Sequence, residues 1–371
     1  MFGPSVPKVY AQSALEHRPS EGGYDYATRV RVPRGVYDLA AEDEEGDDSG
    51  APSNSSSGGG GTHPQSNRIL TYRVTRDIKR NLPRADPSPS FRSCAVVGNA
   101  GTLLKRTFGS EIDKHSVVIR INNAPLGRRY DDHVGRRTHL TIINQHHAKE
   151  IANGREPLRE GNATLLVYES THSHVRLHVF PALMRRLPLR QRAPEPGSAA
   201  DSEFADEFGE DVLRHPTLML HPNFIVRGYT TYQGLRALVE EDETGMRRER
   251  ARERAVASAT PGNATEALER AAAAMAEVAE RKYHRKPMTG FFAVLLAMQW
   301  CDVTYVYGTS PWKFERDWWK KGRPPYHYFD MVQGSTGVHS FDLATAVYKL
   351  MAAKVRKGGS GGNGKPLVLR G

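Results

Sequence analysis

The sequence predicts an α/β fold: a single Rossmann-like domain built on a twisted, mostly parallel sheet with helices on both faces. Three observations carry this expectation. From Arg92 onward, short apolar runs of strand length recur, as buried parallel strands do. Helix-like stretches separate them, the alternation that a parallel sheet requires. The first run, Cys94-Ala95-Val96-Val97, ends in the tight turn Gly98-Asn99-Ala100-Gly101, after which Thr102 to Phe108 has helical character.

Residues 1–66 read as a disordered tail. An acidic cluster (Asp38, Glu42 to Glu45, Asp47, Asp48) runs into Ser53 to Ser57 and Gly58 to Gly61, a composition too poor in apolar surface to offset its chain entropy. Residues 67–91, basic and proline-bearing, read as a lead-in segment to a globular domain over 92–371. Within that domain Val117 to Ile121, Leu140 to Ile143, Leu165 to Tyr168 and Thr217 to Leu220 are further expected strands. A helix-like stretch near Tyr232 to Glu240 follows, then the apolar helix Phe291 to Trp300 and the strand Val303 to Tyr307. A last helix covers about Ser340 to Val355, and Pro366 to Leu369 forms a final strand beyond the glycine-rich Gly358 to Gly364. Two inserts interrupt the pattern: a proline- and acid-bearing loop over 189–210, and a charged segment over 240–285 with a surface helix from Thr265 to Arg281.

The 371 residues suit one large domain or two medium ones, and 38% apolar residues suffice for a sizeable core. A net charge of +10 fits an anionic partner (nucleic acid, nucleotide or anionic membrane) without choosing among them. No nucleic-acid-binding module accompanies the charge, so no nucleic-acid partner is expected. The longest apolar run, Phe291 to Trp300, is about half of a spanning helix. Met1 to Pro4 opens no basic region followed by an apolar one, so neither signal peptide nor membrane anchor is expected in this chain. Two cysteines exclude a disulfide-rich scaffold and a cysteine-built zinc site. Cys94 and Cys301, far apart in the chain, are either two core thiols or one long-range bridge.

The polar positions that punctuate the strands are the candidates for chemistry. Gly98 to Gly101 follows a strand and opens a helix, where free N–H groups favour phosphate or carboxylate; it is equally a turn chosen for its backbone. It is neither a phosphate-binding P-loop nor a dinucleotide fingerprint. Arg120-Ile121-Asn122-Asn123-Ala124-Pro125 brings polar groups to the same sheet edge, where an asparagine is a turn former or a reader of base and ribose. Pro287-Met288-Thr289-Gly290 precedes the apolar helix with Thr289 as its N-cap, a helix end that also suits an anion. His327 and His339 lie in a stretch dense in aromatics and glycine, and imidazole is the usual proton acceptor at neutral pH. His146-His147 and the pair His172 and His174 read as loop or surface, with no convincing metal-ligand spacing.

Together these pieces resemble the eukaryotic sialyltransferase family. Cys94 to Gly101, Ile112-Asp113, Val118 to Pro125 and Val134 to Thr138 are similar to its large motif. His221 to Phe224, then Pro287 to Gly290 through Cys301-Asp302-Val303 to Tyr307-Gly308, are similar to its small motif with a long insert. His327-Tyr328-Phe329-Asp330 resembles the third motif, and Gly337-Val338-His339 opens what resembles the very small motif. The resemblance covers about 92–371 without the 240–285 insert.

The resemblance implies a variant of the GT-A type of α/β domain and a disulfide between Cys94 and Cys301, hence an oxidising compartment. It implies inverting transfer of a sialic-acid-type sugar from a CMP donor to a hydroxyl of a glycan on glycoprotein or glycolipid. No metal or other cofactor is required, the CMP-sugar being a co-substrate. By motif position His339 would be the general base and His327 would support the departing CMP phosphate. Asn99 and Asn122, with the turn residues Gly98 and Ala100, would hold the nucleotide, and Thr289, Gly290 and Gly308 the donor. The Golgi lumen is the expected location, and the membrane anchor usual in the family is not expected within this chain. Asn54, Asn162 and Asn263 stand in glycosylation sequons. Four positions depart from the family pattern: Ala100 and Met288 stand where serines are common, His133 where an aspartate is usual, and Ala344 where a glutamate normally follows the motif histidine. Two further readings remain: a transferase using CMP-Kdo or a related keto-sugar acid, and a non-catalytic glycan- or nucleotide-binding homologue.

Overall fold

The structure is a computed structural model that describes residues 6–19, 22–41, 67–158, 163–197, 199–260, 262–280, 282–310, 322–330, 332, 334, 340–357 and 365–370. Its frame is a seven-stranded sheet. β1 (Glu16–His17), β2 (Tyr26–Val32) and β3 (Arg68–Val74) form a small antiparallel sheet of their own. The main sheet comprises β4 (Phe91–Val97), β5 (Val117–Ile121), β6 (Leu140–Ile143), β7 (Thr164–Val167), β8 (Thr217–Met219), β9 (Cys301–Tyr307) and β10 (Leu367–Arg370). Its order is β10-β9-β4-β5-β6-β7-β8, and every neighbouring pair is parallel. The expected α/β class holds.

Successive side chains of a strand point to opposite faces, and here both faces are covered. Cys94 and Val96 of β4 join one apolar cluster while Ala95 and Val97 join another. Leu166 of β7 likewise packs apart from its neighbours Leu165 and Val167. The longer α-helices among the described residues are α1 (Gln145–Ala152), α2 (Phe180–Arg186), α3 (Ala199–Phe208), α4 (Pro222–Ala257), α5 (Ala264–Ala276), α6 (Thr289–Trp300) and α7 (Phe341–Lys357). Helix α6 is apolar all round because it is the core helix: eleven of its twelve residues are buried. It delivers Cys301 directly into β9, where the Cys94–Cys301 disulfide joins adjacent strands with a Cα–Cα distance of 5.7 Å.

Several expectations are corrected. The presumed tail is folded over residues 6–19 and 22–41. Val9 and Tyr10 are fully buried, Val9 pairs with Leu220 beyond the end of β8, and Tyr10 N–H donates to Met219 O at 2.8 Å. The serine- and glycine-rich part, 42–66, lies outside the described residues. The lead-in segment contains β3 and contributes the buried Tyr72, Val74, Ile78 and Leu82 to the core. The supposed loop 189–210 contains α3, whose Phe204 stacks on Phe91 and whose Phe208 meets Trp300 edge-on. The stretch near Tyr232 belongs to the 36-residue α4, buried in its first half. Helix α5 folds back along α4 as a hairpin, capped by the Asn263 side chain. Thr289 is the first residue of α6, and Met288 holds the N-cap position.

Candidate active site

Parallel strands end together, so the residues after β4, β5, β6, β7 and β9 share one edge, the usual ligand edge of such sheets. Gly98 and Gly308 follow β4 and β9. A Cβ on Gly98 would lie 2.5 Å from the carbonyl oxygen of Gly308, and Gly308 itself has φ +64°, so the two strand ends touch backbone to backbone. Ala100 N–H donates to Gly308 O at 3.2 Å and pairs with His327 as an antiparallel bridge. Tyr328 N–H donates to Asn99 O at 2.9 Å and Gly101 N–H to Tyr326 O at 3.2 Å. The segment Tyr326–Tyr328 is thereby stitched onto the turn after β4.

Asn99 Nδ2 donates to the carbonyl of Ile121, the last residue of β5, at 3.1 Å. Asn122 and Asn123 both take left-handed conformations (φ +55° and +51°), which asparagine tolerates better than most residues. Asn122 Oδ1 accepts from Asn144 N–H at 3.2 Å, tying β5's end to β6's. Gly290 packs against Ile121, so the start of α6 faces the same edge. Thr289 is 7% exposed and hydrogen-bonds Tyr168, whose hydroxyl is pushed well above its ordinary pKa, chiefly by burial and then by the adjacent Glu169.

His327 Nδ1 lies 3.0 and 3.1 Å from the two oxygens of Asp330, and its ring stacks on Phe329 at 4.9 Å. Tyr326, against the same imidazole, is pushed up to about 12 by burial and by the Asp330 carboxylate. The edge thus gathers Gly98, Asn99, Ala100, Asn122, Thr289, Gly290, Gly308 and His327. His339, with Gly337 and Val338, lies outside the described residues, as do Asn54 and Asn162. Ala344 is buried in the apolar core on α7.

Sequence reasoning missed three polar groups at this edge. Glu169, after β7, is 4% exposed; it accepts from Gln145 N–H and lies 3.6 Å from Lys286 Nζ. His147, read as surface, sits in the first turn of α1 with Nδ1 2.8 Å from Glu156 Oε2. His172, also read as surface, is buried. Only their positions just after apolar runs hinted at this. Other motif residues are structural. Arg120 is 2% exposed and donates to the carbonyls of Val134 and Arg137, while Asp113 accepts from the N–H groups of Arg136 and Arg137. Among the described residues no group of three or more His, Cys, Asp or Glu side chains is placed to hold a metal ion, and no helix is long and apolar enough to cross a membrane.

Comparison with known proteins gives this geometry its context. The family model for glycosyltransferase family 29 (sialyltransferase) matches residues 62–229 and 266–355. Sialyltransferase-like protein 5 of Oryza sativa subsp. japonica is 35% identical over 100 residues, 26% of this chain and 19% of that protein. Beta-1,6-galactosyltransferase GALT29A of Arabidopsis thaliana is 51% identical over 57 residues, 15% of this chain and 14% of that one. The matched stretches span less than a fifth of these relatives' own lengths. A crystal structure of a mammalian sialyltransferase in complex with Gal-beta-1-3GalNAc-ortho-nitrophenol aligns with a TM-score of 0.44 at 15% identity, over 100% of this chain and 92% of that one. The family model covers well over half of the sequence, across both halves of the sheet: the chain belongs to glycosyltransferase family 29, the sialyltransferase family.

Proposed function

We propose that the protein transfers a sialic-acid-type sugar from a CMP donor to a glycan hydroxyl, with inversion and without a metal. The observation that carries the reading is the meeting of Asn99, Asn122, the start of α6 and His327 on one sheet edge of a family 29 chain. Asn99 and Asn122 are the nucleotide contacts, and Thr289 and Gly290 face the donor. The acceptor oxygen attacks the anomeric carbon as the bond to the CMP phosphate oxygen breaks and CMP leaves with the electron pair. CMP is a good leaving group, so the protein needs a base, donors for the phosphate charge and a positioned acceptor.

His339 takes the acceptor's proton in this scheme. His327 serves the phosphate through Nε2, while Asp330, 3.0 Å from Nδ1, fixes the ring. The disulfide and the family point to an oxidising compartment, the Golgi lumen, with a glycoprotein or glycolipid glycan as acceptor. The galactosyltransferase relative favours a second reading of the donor. Purified protein assayed for nucleotide release with CMP-sialic acid, CMP-Kdo and UDP-galactose against a mixed acceptor set decides. Release from CMP-sialic acid supports the proposal; release from another donor alone reassigns the donor. CMP binding with no release from any donor points to the non-catalytic homologue.

A further inference from the structure

We propose that His147 is an acceptor-positioning residue: with Nδ1 held on Glu156, its Nε2 accepts a hydrogen bond from a hydroxyl of the glycan acceptor beside Asn122. The inference rests on the glycosyltransferase reading and adds the group that orients the acceptor sugar. Helix α1 begins at the ligand edge because Asn144, directly after β6, caps it by accepting from His147 N–H. That cap sets His147 in the first turn, one residue pair away from the contact between Asn144 N–H and Asn122 Oδ1.

The side chain is tied down from the same direction. Glu156 Oε2 lies 2.8 Å from His147 Nδ1, and its other oxygen accepts from Asn123 Nδ2 at 2.8 Å; Asn123 also donates to Pro157 O at 2.9 Å. Two hydrogen bonds therefore connect the imidazole to the residue following Asn122. The imidazole is the more open partner, 28% exposed against 18% for the carboxylate. A cleft of about 650 Å³ reaches Pro157 and runs along Pro125, Gly127 and Arg128, on the loop that follows Asn123. Pro157 directly follows Glu156 in the chain, so the cleft comes up to the turn that carries the dyad's carboxylate.

The chemistry is that of a held tautomer. A neutral imidazole whose Nδ1–H donates to a carboxylate has a lone pair on Nε2 and accepts there. A sugar hydroxyl donates to it and is fixed in direction and rotation, which is what a transfer between two bound sugars needs. No bond of the substrate is made or broken by His147. A purely structural dyad would clamp α1 to the Glu156–Pro157 turn and leave glycan recognition unchanged.

Glycan-array retention and CMP titration, run side by side on the wild type, His147→Ala and His147→Gln, test this. The wild type should retain a subset of glycans, His147→Ala should bind those glycans about tenfold more weakly, the worth of one hydrogen bond, and CMP affinity should stay within twofold. His147→Gln, whose amide oxygen accepts, should recover part of the loss. In turnover, the acceptor KM should rise about tenfold in His147→Ala while the donor KM holds. Equal glycan retention by the wild type and His147→Ala overturns the proposal, as does failure of the wild type to retain any glycan. Parallel loss of glycan and CMP binding also overturns it, since it marks a structural prop. A wild type that retains glycans in a His147-dependent way yet releases no nucleotide from any donor overturns the transferase reading and leaves the positioning role standing.

Discussion

Replacing Gly101 with alanine should damage the site far more than the fold. A Cβ on Gly101 would sit 2.3 Å from the carbonyl oxygen of Pro325 and 2.7 Å from its ring. The obstacle is backbone and a proline ring, neither of which can swing aside as a long side chain does. Ordinary contact begins at 3.4 Å, so the turn and the Pro325 segment must part by about 1 Å, a misplacement that costs on the order of 100-fold in turnover. The parting breaks Gly101 N–H to Tyr326 O, the Ala100–His327 bridge and Tyr328 N–H to Asn99 O. These bonds hold His327 beside the Asn99 turn. The stability loss should be about 1–3 kcal/mol, the usual cost of overpacking, because the sheet beneath is untouched. Gly245, on α4 with no packing neighbour within 4 Å of its would-be Cβ, is the control. Its alanine variant should keep full activity and gain up to about 1 kcal/mol from helix propensity. The assays are nucleotide release, CMP titration and urea unfolding. Gly101→Ala turning over and binding CMP within threefold of the wild type would refute the argument that this contact places His327.

Three further outcomes follow from other parts of the molecule. The Cys94–Cys301 bridge closes a loop with a sequence separation of 207, so the double alanine variant should lose up to about 5 kcal/mol by the chain-entropy argument; urea unfolding measures it, and free thiols in secreted protein by non-reducing mass mapping would remove the premise. Burial pushes His115 and His139 down to about 4 and His221 to about 3. Their folded values lie below the unfolded one, so the unfolded chain binds more protons and stability, complete above about pH 6.5, falls as the pH drops; each site contributes about 2 kcal/mol between pH 7.5 and 5. His221→Asn keeps a capping side chain and should flatten that slope by one such share, and an unchanged slope contradicts the assignment. His339→Ala should lower turnover by about two to four orders of magnitude with CMP affinity nearly unchanged, the worth of a general base, whereas His327→Ala should weaken both; near-normal turnover in His339→Ala removes the base assignment.

The sequence by itself determined the class of sheet and most of its strands. Val117 to Ile121 and Leu140 to Ile143 are buried on both faces, and a strand buried on both faces is apolar at most positions (here all but Arg120 and Thr141), a signal that needs no partner to be seen. Asn99 and Asn122 were legible for a related reason: polar residues directly after such runs fall on the ligand edge. The tertiary structure alone decided the rest. Residues 6–41 look tail-like because β1 is two residues long and the apolar residues of β2 alternate with polar ones, next to an acidic stretch. Their pairing energy comes from distant segments, Val9 from Leu220 and β2 from β3. The Phe204 helix reads as loop until Phe91 and Trp300 are beside it. Met288, rather than Thr289, holds the N-cap position of α6, a shift of one residue that composition does not resolve. The ion pair of Glu169 with Lys286, and the dyad of His147 with Glu156 tied to Asn123, leave no local mark beyond standing just after an apolar run. Each is polar residues from separate elements, brought together only because parallel strands end at one edge.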